Sequence, residues 1–292
     1  MTKMSTESPL VSFLMFSYNQ EQYIAQAVEA AFAQTYSNLE ILISDDCSSD
    51  GTFGLIQAMV AAYSGPHKVA CIRNPENIGI ARHVNKLNKL ANGELIVVAA
   101  CDDISCPNRT QDIVDAYMSS QRSIHYFYSQ ALEIDLNGRA GKVVTSSGGK
   151  NAGSALQSAL SPYPLAIGAT QAWTKVLVNS FPPIHRRVWA EDQILGFRGV
   201  LSGGVRFIEK PLVQYRVGSG VSTTKRPFSV KRYYAGKVCE IDIMRQRTRD
   251  ALHMKQYPIA AAISFKISLL TLALPLSPLI SLVRKLVKKK QP

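Results

Sequence analysis

The run Leu95-Ile-Val-Val-Ala-Ala100, followed at once by Cys101-Asp102-Asp103, constrains this chain more than any other stretch. Uninterrupted apolar residues of strand length, rich in Val and Ile, predict a strand buried on both faces of a parallel sheet. Ligands of open α/β sheets bind in the crevice outside the carboxyl ends of the strands, and Asp102 and Asp103 fall at that edge. Adjacent carboxylates there repel each other unless a cation stands beside them. A divalent ion that prefers oxygen and also meets substrate phosphates would satisfy them. A helix cap followed by an exposed turn residue is the plainer account of the same two acids, and the pair alone does not decide the matter.

Upstream, the pattern repeats. Val11 to Phe16, Leu39 to Ser44 and Val69 to Arg73 read as strands, and each is followed by an amphipathic segment of helical period. Ile24, Val28, Ala31 and Phe32 form one apolar stripe; Leu55, Ile56, Met59, Val60 and Tyr63 a second; Ile80, Val84, Leu87 and Leu90 a third. Asn19 with Gln22 reads as a capping box before the first helix. Strands alternating with helices predict βαβ units and a mostly parallel, Rossmann-like sheet flanked by helices. No G-x-G-x-x-G follows the first strand and no G-x-x-x-x-G-K-[ST] occurs, which argues against hydride-transfer and P-loop enzymes. Acidic loops follow two strands instead, at Asp45/Asp46 and Asp102/Asp103. Carboxylates can accept hydrogen bonds from a base or ribose and hold the metal that meets the phosphates.

Val11-Ser-Phe-Leu-Met-Phe-Ser-Tyr-Asn19, Gln34-Thr-Tyr36 and Leu39-Glu-Ile-Leu-Ile-Ser-Asp-Asp-Cys-Ser-Ser-Asp-Gly-Thr52 together resemble the start of a family 2 glycosyltransferase of the GT-A fold. Asn77-Ile-Gly79, Asn85, Gly93-Glu94 and the acidic pair with Pro107 and Arg109 continue the likeness, and Ala190-Glu-Asp-Gln-Ile-Leu195 resumes it. The resemblance implies an inverting enzyme that moves a sugar from a nucleotide-diphosphate sugar to a hydroxyl of a saccharide, with a lipid-linked saccharide as the expected acceptor. It implies that Ser17, Tyr18 and Asn19 line the nucleotide pocket, together with Asn85. Asp46 would bond the base with Asp45 supporting its loop, and Asp102 would approach the ribose. Asp103, with Asp102, would coordinate Mn2+ or Mg2+ on the diphosphate, and Asp192 after Glu191 would be the catalytic base. The chain departs from the family pattern at Phe16, where Pro is common, and at Ala100, which removes one possible metal contact. It departs again at Gly218, where a histidine often stands. Those departures motivate the alternative of a catalytically weak nucleotide-sugar-binding protein. A nucleotidyltransferase is the third reading, but Ser17-Tyr-Asn-Gln20 stands where its glycine-rich basic loop would be.

Beyond this region, Ile124 to Ser129 reads as a strand, and Asn137-Gly138 as a hairpin turn. Lys142 to Pro164 is rich in Gly, Ser and Ala and reads as a loop, either a lid or a surface linker. Trp173 could stack on an acceptor sugar, but a core position is favoured. Trp189 to Leu201 reads as a helix carrying Glu191 and Asp192 in its first turn, where simple dipole complementarity also accounts for them. Arg82 and His83 could reach a diphosphate, although a solvated helix face is the plainer expectation. The expected organisation is a GT-A domain over 9–224, split into a nucleotide-sugar-binding half (9–120) and an acceptor half (121–224), followed by a helical basic tail (225–292).

Charge separates that tail from the rest. From Lys225 onward stand 15 Lys and Arg against 3 Asp and Glu, the whole of the net charge of +12. Residues 267–283 carry no charge, Pro275 and Pro278 interrupt them, and Arg284-Lys-Leu-Val-Lys-Lys-Lys290 follows. This predicts a membrane-surface or re-entrant segment held on anionic lipid, with a single span or a buried helix as alternatives. With no base-reading motif, nucleic acid is not an expected partner. Five scattered cysteines without ligand spacing predict reduced thiols. The first nine residues lack an apolar core, so the expectation is no signal peptide and a cytoplasmic protein peripheral to the membrane.

Overall fold

The computed structural model describes residues 7–146, 153–219 and 229–273. The first 100 residues fold as the alternation predicts. They form β1 (Val11–Ser17), α1 (Ile24–Phe32), β2 (Leu39–Asp45), α2 (Thr52–Ala62), β3 (Lys68–Arg73), α3 (Ile80–Leu90) and β4 (Leu95–Ala100). β5 (Ile104–Ser105), α4 (Arg109–Ser119), β6 (Tyr126–Ile134), β7 (Ala140–Val144), α5 (Ala155–Leu160), β8 (Gln171–Thr174) and α6 (Lys175–Asn179) follow. Then come α7 (Glu191–Leu201), β9 (Arg206–Arg216), α8 (Val230–His253) and α9 (Tyr257–Ala273). One sheet runs in the order β3-β2-β1-β4-β8-β6-β9-β5, with β7 paired to β6. Its β3-β2-β1-β4 part is parallel, β8 runs antiparallel to both β4 and β6, and β6 is parallel to β9.

Period-two alternation decides which face each β4 side chain takes. Leu95, Val97 and Ala99 join Phe13, Met15, Ile41 and Ile43 beneath α1, α2 and α4. Ile96 and Val98 face the other way, onto Val84, Leu87, Trp173 and Ile194. Burying each large aliphatic side chain here contributes about 1.5–3 kcal/mol. The register then sets the site. Ser17 pairs with Asp45 and Phe16 with Ala100, so the loops after β1, β2 and β4 leave the same edge.

Several local expectations change. α1 starts at Ile24 with no side-chain cap; Asn19 is left-handed (φ 51°) and its Oδ1 accepts from the Ser49 N–H at 2.8 Å, so it forms no capping box. Part of the 142–164 loop is helical, because Ser154 and Gln157 form a reciprocal capping box at the start of α5; residues 147–152 lie outside the described residues. Asn137-Gly138 turns the β6–β7 hairpin as expected, with Gly138 at φ 81°. Trp173 is 1% exposed on β8, and its Nε1 donates to Asn88 Oδ1 at 3.0 Å, which makes it core. His83 is not solvated: it is buried, its Nε2 lies 2.6 Å from Ser44 Oγ, and burial pulls its imidazole well below the ordinary range against the opposing charges of Asp46 and Asp45. All five cysteines are free.

The basic segment does not stand apart from the body over its described part. α8 packs on α7, where Arg198 Nε and Nη2 donate to Asp250 at 2.7 and 3.0 Å. α9 closes a third small core of Ala159, Phe197, Met244, Ala251, Ala260 and Ile263. The Lys225-Arg226 pair, most of the 267–283 run and the closing basic cluster lie outside the described residues. Among the described residues no helix is long and apolar enough to cross a membrane.

Candidate active site

Asp102 and Asp103 come to the sheet edge as the β4 run ends. β9 returns beside them because β5 pairs with it, Ile104 against Gln214 and Ser105 against Val213. Asp103 Oδ1 accepts from the Arg216 N–H at 2.7 Å, and Arg216 Nε donates to the Asp102 carbonyl at 3.0 Å. Asp102 Oδ2 accepts from Ser219 Oγ at 2.8 Å. The Arg216 guanidinium lies over the Tyr23 ring, 4.5 Å from its centroid, and donates to Gln26 Oε1 at 2.8 Å. Burial, and then the Asp102 charge beside it, push the Asp103 carboxyl well above the usual carboxylate range in spite of the Arg216 N–H.

A second acidic pair opens α7. Glu191 and Asp192 occupy its first turn, part-buried, and Asp192 Oδ1 accepts from the Gln193 N–H at 2.7 Å. Burial raises both carboxyls; the Asp192 charge raises Glu191 further, while the Gln193 N–H and the Arg247 charge hold Asp192 back. Glu191 is therefore pushed further up than Asp192. Both face the Gly168 backbone, where a β-carbon would stand 3.9 Å from Asp192 Oδ2 and from Glu191 Oε1.

One cleft of about 490 Å³ joins the two pairs, with Gln20 and Arg216 on one side and Ile80, Gly168, Ala169 and Trp189 on the other. Trp189 lines this cleft and is 52% exposed. A neighbouring groove of about 570 Å³ shares Gln20 and runs past Asn19, Tyr23, Asp50 and Ser219.

The remaining expected residues are placed differently. Ser17 is buried and donates to Asp45 Oδ1 at 3.2 Å. Asp45 is buried too, accepting from the Ser48 N–H at 2.9 Å and facing Arg73 at 3.7 Å. Asp46 accepts from Asn74 Nδ2, the Ile78 N–H and the Gly79 N–H at 2.8–3.0 Å, so its oxygens brace the 74–79 loop rather than open onto the cleft. Tyr18 is half exposed and outside both cleft walls. Asn85, on α3, donates to the Ile184 carbonyl at 2.7 Å and accepts from the Ile184 N–H at 3.0 Å, which ties that helix to the segment around Ile184 and engages both ends of its amide. Gln20, Gly168, Trp189 and Ser219 carry no motif that would have singled them out. Arg216 is marked in the sequence only by standing two residues before Gly218.

No trio of His, Cys, Asp or Glu able to hold a metal occurs among the described residues. Asp102 and Asp103 nevertheless suit a divalent ion: two converging, desolvated carboxylates hold a cation whose other ligands are water and phosphate oxygens. With Ala100 two positions before Asp102, this stretch offers two carboxylates.

Residues 12–133 match the family model described as glycosyl transferase family 2. EpsE of Bacillus subtilis strain 168, which carries a glycosyltransferase name, is 34% identical over 118 residues, 40% of this chain and 41% of that one. WfaP of Escherichia coli, a UDP-Glc:alpha-D-GlcNAc-diphosphoundecaprenol beta-1,3-glucosyltransferase by name, is 36% identical over 94 residues, 32% of this chain and 36% of that one. The matches thus span less than half the length of either relative. Mannosyltransferase PcManGT from Pyrobaculum calidifontis, solved in complex with GDP-Man and Mn2+, superimposes with a TM-score of 0.58 at 16% identity, covering 98% of this chain and 82% of that one. At that identity the likeness is one of fold, and the fold is of the GT-A type.

Proposed function

We propose that this chain, whose residues 12–133 match the glycosyl transferase family 2 model, transfers a sugar, with inversion, from a nucleotide-diphosphate sugar to a saccharide hydroxyl. The observation that carries this reading is the single cleft shared by Asp102 and Asp103 with Glu191 and Asp192. The acceptor hydroxyl gives its proton to Asp192 as its oxygen bonds the anomeric carbon. The bond from that carbon to the nucleoside diphosphate breaks on the opposite face, and the bonding pair leaves with the phosphate. Glu191, still protonated, donates a hydrogen bond instead of competing for the proton. Gln20 and Asn19, with the Ser17–Asp45 and Asp46 braces behind them, frame the groove for the nucleoside, and the exposed Trp189 indole gives the acceptor sugar a flat face. A lipid-linked saccharide as acceptor is supported by the name of WfaP.

Asp102 and Asp103 are the residues that would hold Mn2+ or Mg2+ against the donor diphosphate. The ion would supply positive charge to the leaving group, an effect worth several kcal/mol. Ligand that binds only the folded state raises the melting temperature by mass action. A nucleoside diphosphate with Mn2+, at about ten times its Kd, is expected to raise the melting temperature by a few degrees. Asp103→Asn should remove the Mn2+-dependent part of that rise and leave the metal-free part. An equal rise in the variant would dismiss the metal assignment.

The proposed location is the cytoplasmic face of a membrane, held at the surface. Tyr257, Phe265, Leu269 and Leu272 are exposed along α9, and the sequence beyond continues apolar to Val283 and then basic. Such a combination binds anionic lipid through buried apolar area and charge together. Vesicles containing phosphatidylserine should carry the full chain on flotation at low salt, and neutral vesicles should carry much less. Protein left at the bottom of both gradients would end this part of the reading.

A further inference from the structure

Outside the cleft, one buried cation reaches the acidic turn of α7 from an element that the family match does not cover. Arg247 lies on α8, 2% exposed, with its guanidinium carbon over the Phe197 ring of α7, 5.8 Å from the centroid. Its Nη2 donates to the Gln193 carbonyl at 3.3 Å and to Gln193 Oε1 at 3.1 Å. Its Nη1 donates to the Ser161 carbonyl at 2.7 Å and the Ala159 carbonyl at 3.1 Å, at the end of α5. Lys266 of α9 grips the same turn through the Leu160 carbonyl at 2.6 Å. Gln193 is the residue whose N–H Asp192 accepts.

We propose that Arg247 is a positioning residue of this site: through Gln193 it fixes the first turn of α7, which carries the Asp192 carboxyl that takes the acceptor proton. The inference rests on Asp192 being that proton acceptor. A fixed positive charge nearby favours the ionised form of a carboxylate sunk beside a second carboxylate. Arginine suits the role because its planar fork stays charged in a dry site and reaches several carbonyls at once. The groups that face Asp192 support this division of labour. Glu191 stands beside it on α7, and the Tyr126 hydroxyl approaches from β6, donating to Gln171 Oε1 at 2.7 Å. Asp102, Asp103 and Arg216 lie across the cleft. Around Arg247 itself stand Glu240 and Lys266, which oppose each other in sign. From α5, α7, α8 and α9, therefore, Arg247 is the cation whose charge reaches Asp192, and that charge lowers the Asp192 carboxyl against the pull of burial.

The same four hydrogen bonds would also serve a purely structural staple, so the test separates charge from shape. Arg247→Gln and Arg247→Lys each shorten the fork and each keep a donor for the Ser161 carbonyl, but only the glutamine removes the charge. The pH profile of kcat/KM is measured on the full chain for the wild type, both variants and Asp192→Asn. The glutamine variant is expected to move the acid limb upward by about half a pH unit or more, about a threefold loss of kcat/KM below the limb. The lysine variant should keep the limb where the wild type has it. Donor KM should change little in either. If both variants keep the wild-type limb, or both shift together, the inference is overturned while the function stands. If Asp192→Asn retains turnover, the proton-acceptor reading itself has failed, whatever Arg247 does.

Discussion

Asp192→Asn is expected to lower kcat by about a hundredfold to ten-thousandfold, the usual worth of a positioned general base. In barrier terms that is about 3–5 kcal/mol. Asparagine keeps the shape of the side chain and its acceptance of the Gln193 N–H, so donor affinity should survive within a few-fold. Titration of the nucleotide sugar by calorimetry would check that. Glu191→Gln copies the protonated acid that the site already holds, and should cost far less. The pH profile follows from the same environment. Burial and the desolvated turn raise Asp192 to about 6, and Glu191 sits above it at about 8. A base must be unprotonated to act, so turnover should be full above the Asp192 value and fall tenfold per unit below it. Ionising Glu191 then adds a second negative charge beside Asp192 and withdraws a hydrogen-bond donor, so a decline near the upper value is expected. A flat profile between pH 5 and 7 would leave Asp192 without its role.

The parts of this site that the sequence made legible are those written into contiguous residues. An apolar strand followed by acids announces both its burial and its edge, because β4 must satisfy two helical layers at once and Asp102 and Asp103 come directly after it. The same holds for Glu191 and Asp192 at the head of α7. What stayed hidden depends on contacts across the chain. Arg216 meets Asp102 and Asp103 only because the two residues of β5 pair with the far end of β9, and no local pattern records that register. Asn85 looked available for a donor, yet it is spent on Ile184, 99 residues away. Asp46 looked like a base contact, yet the 74–79 loop folds over and uses both its oxygens. His83 pairs with Ser44 on a strand formed much earlier in the chain. The α5 cap was legible and passed over: Ser154 and Gln157 have the right spacing, but the surrounding Gly, Ser and Ala suggested a loop. Charge counting erred in a different way. It separated residues from 225 onward because their net charge is high, although Arg247 among them is buried and Asp250 is buried against Arg198 of α7.

Asp250→Ala tests that last point, and a loss of about 3–5 kcal/mol of stability is expected. Asp250 is 0% exposed and Arg198 is 2% exposed, and the pair joins α8 to α7 through two hydrogen bonds at 2.7 and 3.0 Å. Gln246 Nε2 adds a third bond to Asp250 at 2.9 Å, and Arg198 Nη2 also serves the Pro182 carbonyl at 2.7 Å beneath the Phe181 ring. Alanine would leave that guanidinium buried with no countercharge, and the protein must then either admit water or part the helices. Attraction within the pair is not what makes the loss so large. Burial pushes the Asp250 carboxyl upward even with Arg198 against it, so desolvation exceeds what the partner returns. Removing both charges together, as Arg198→Met with Asp250→Leu, should therefore cost much less than removing one. Urea unfolding of the three proteins decides it: a single variant within about 1 kcal/mol of the wild type would mean that α8 is not clamped to the catalytic helix by this pair. A costly single and a mild double would mean that the basic helix is fastened to the body through an ion pair whose value lies in orientation, keeping Arg247 and Gln193 at the distance the acidic turn requires.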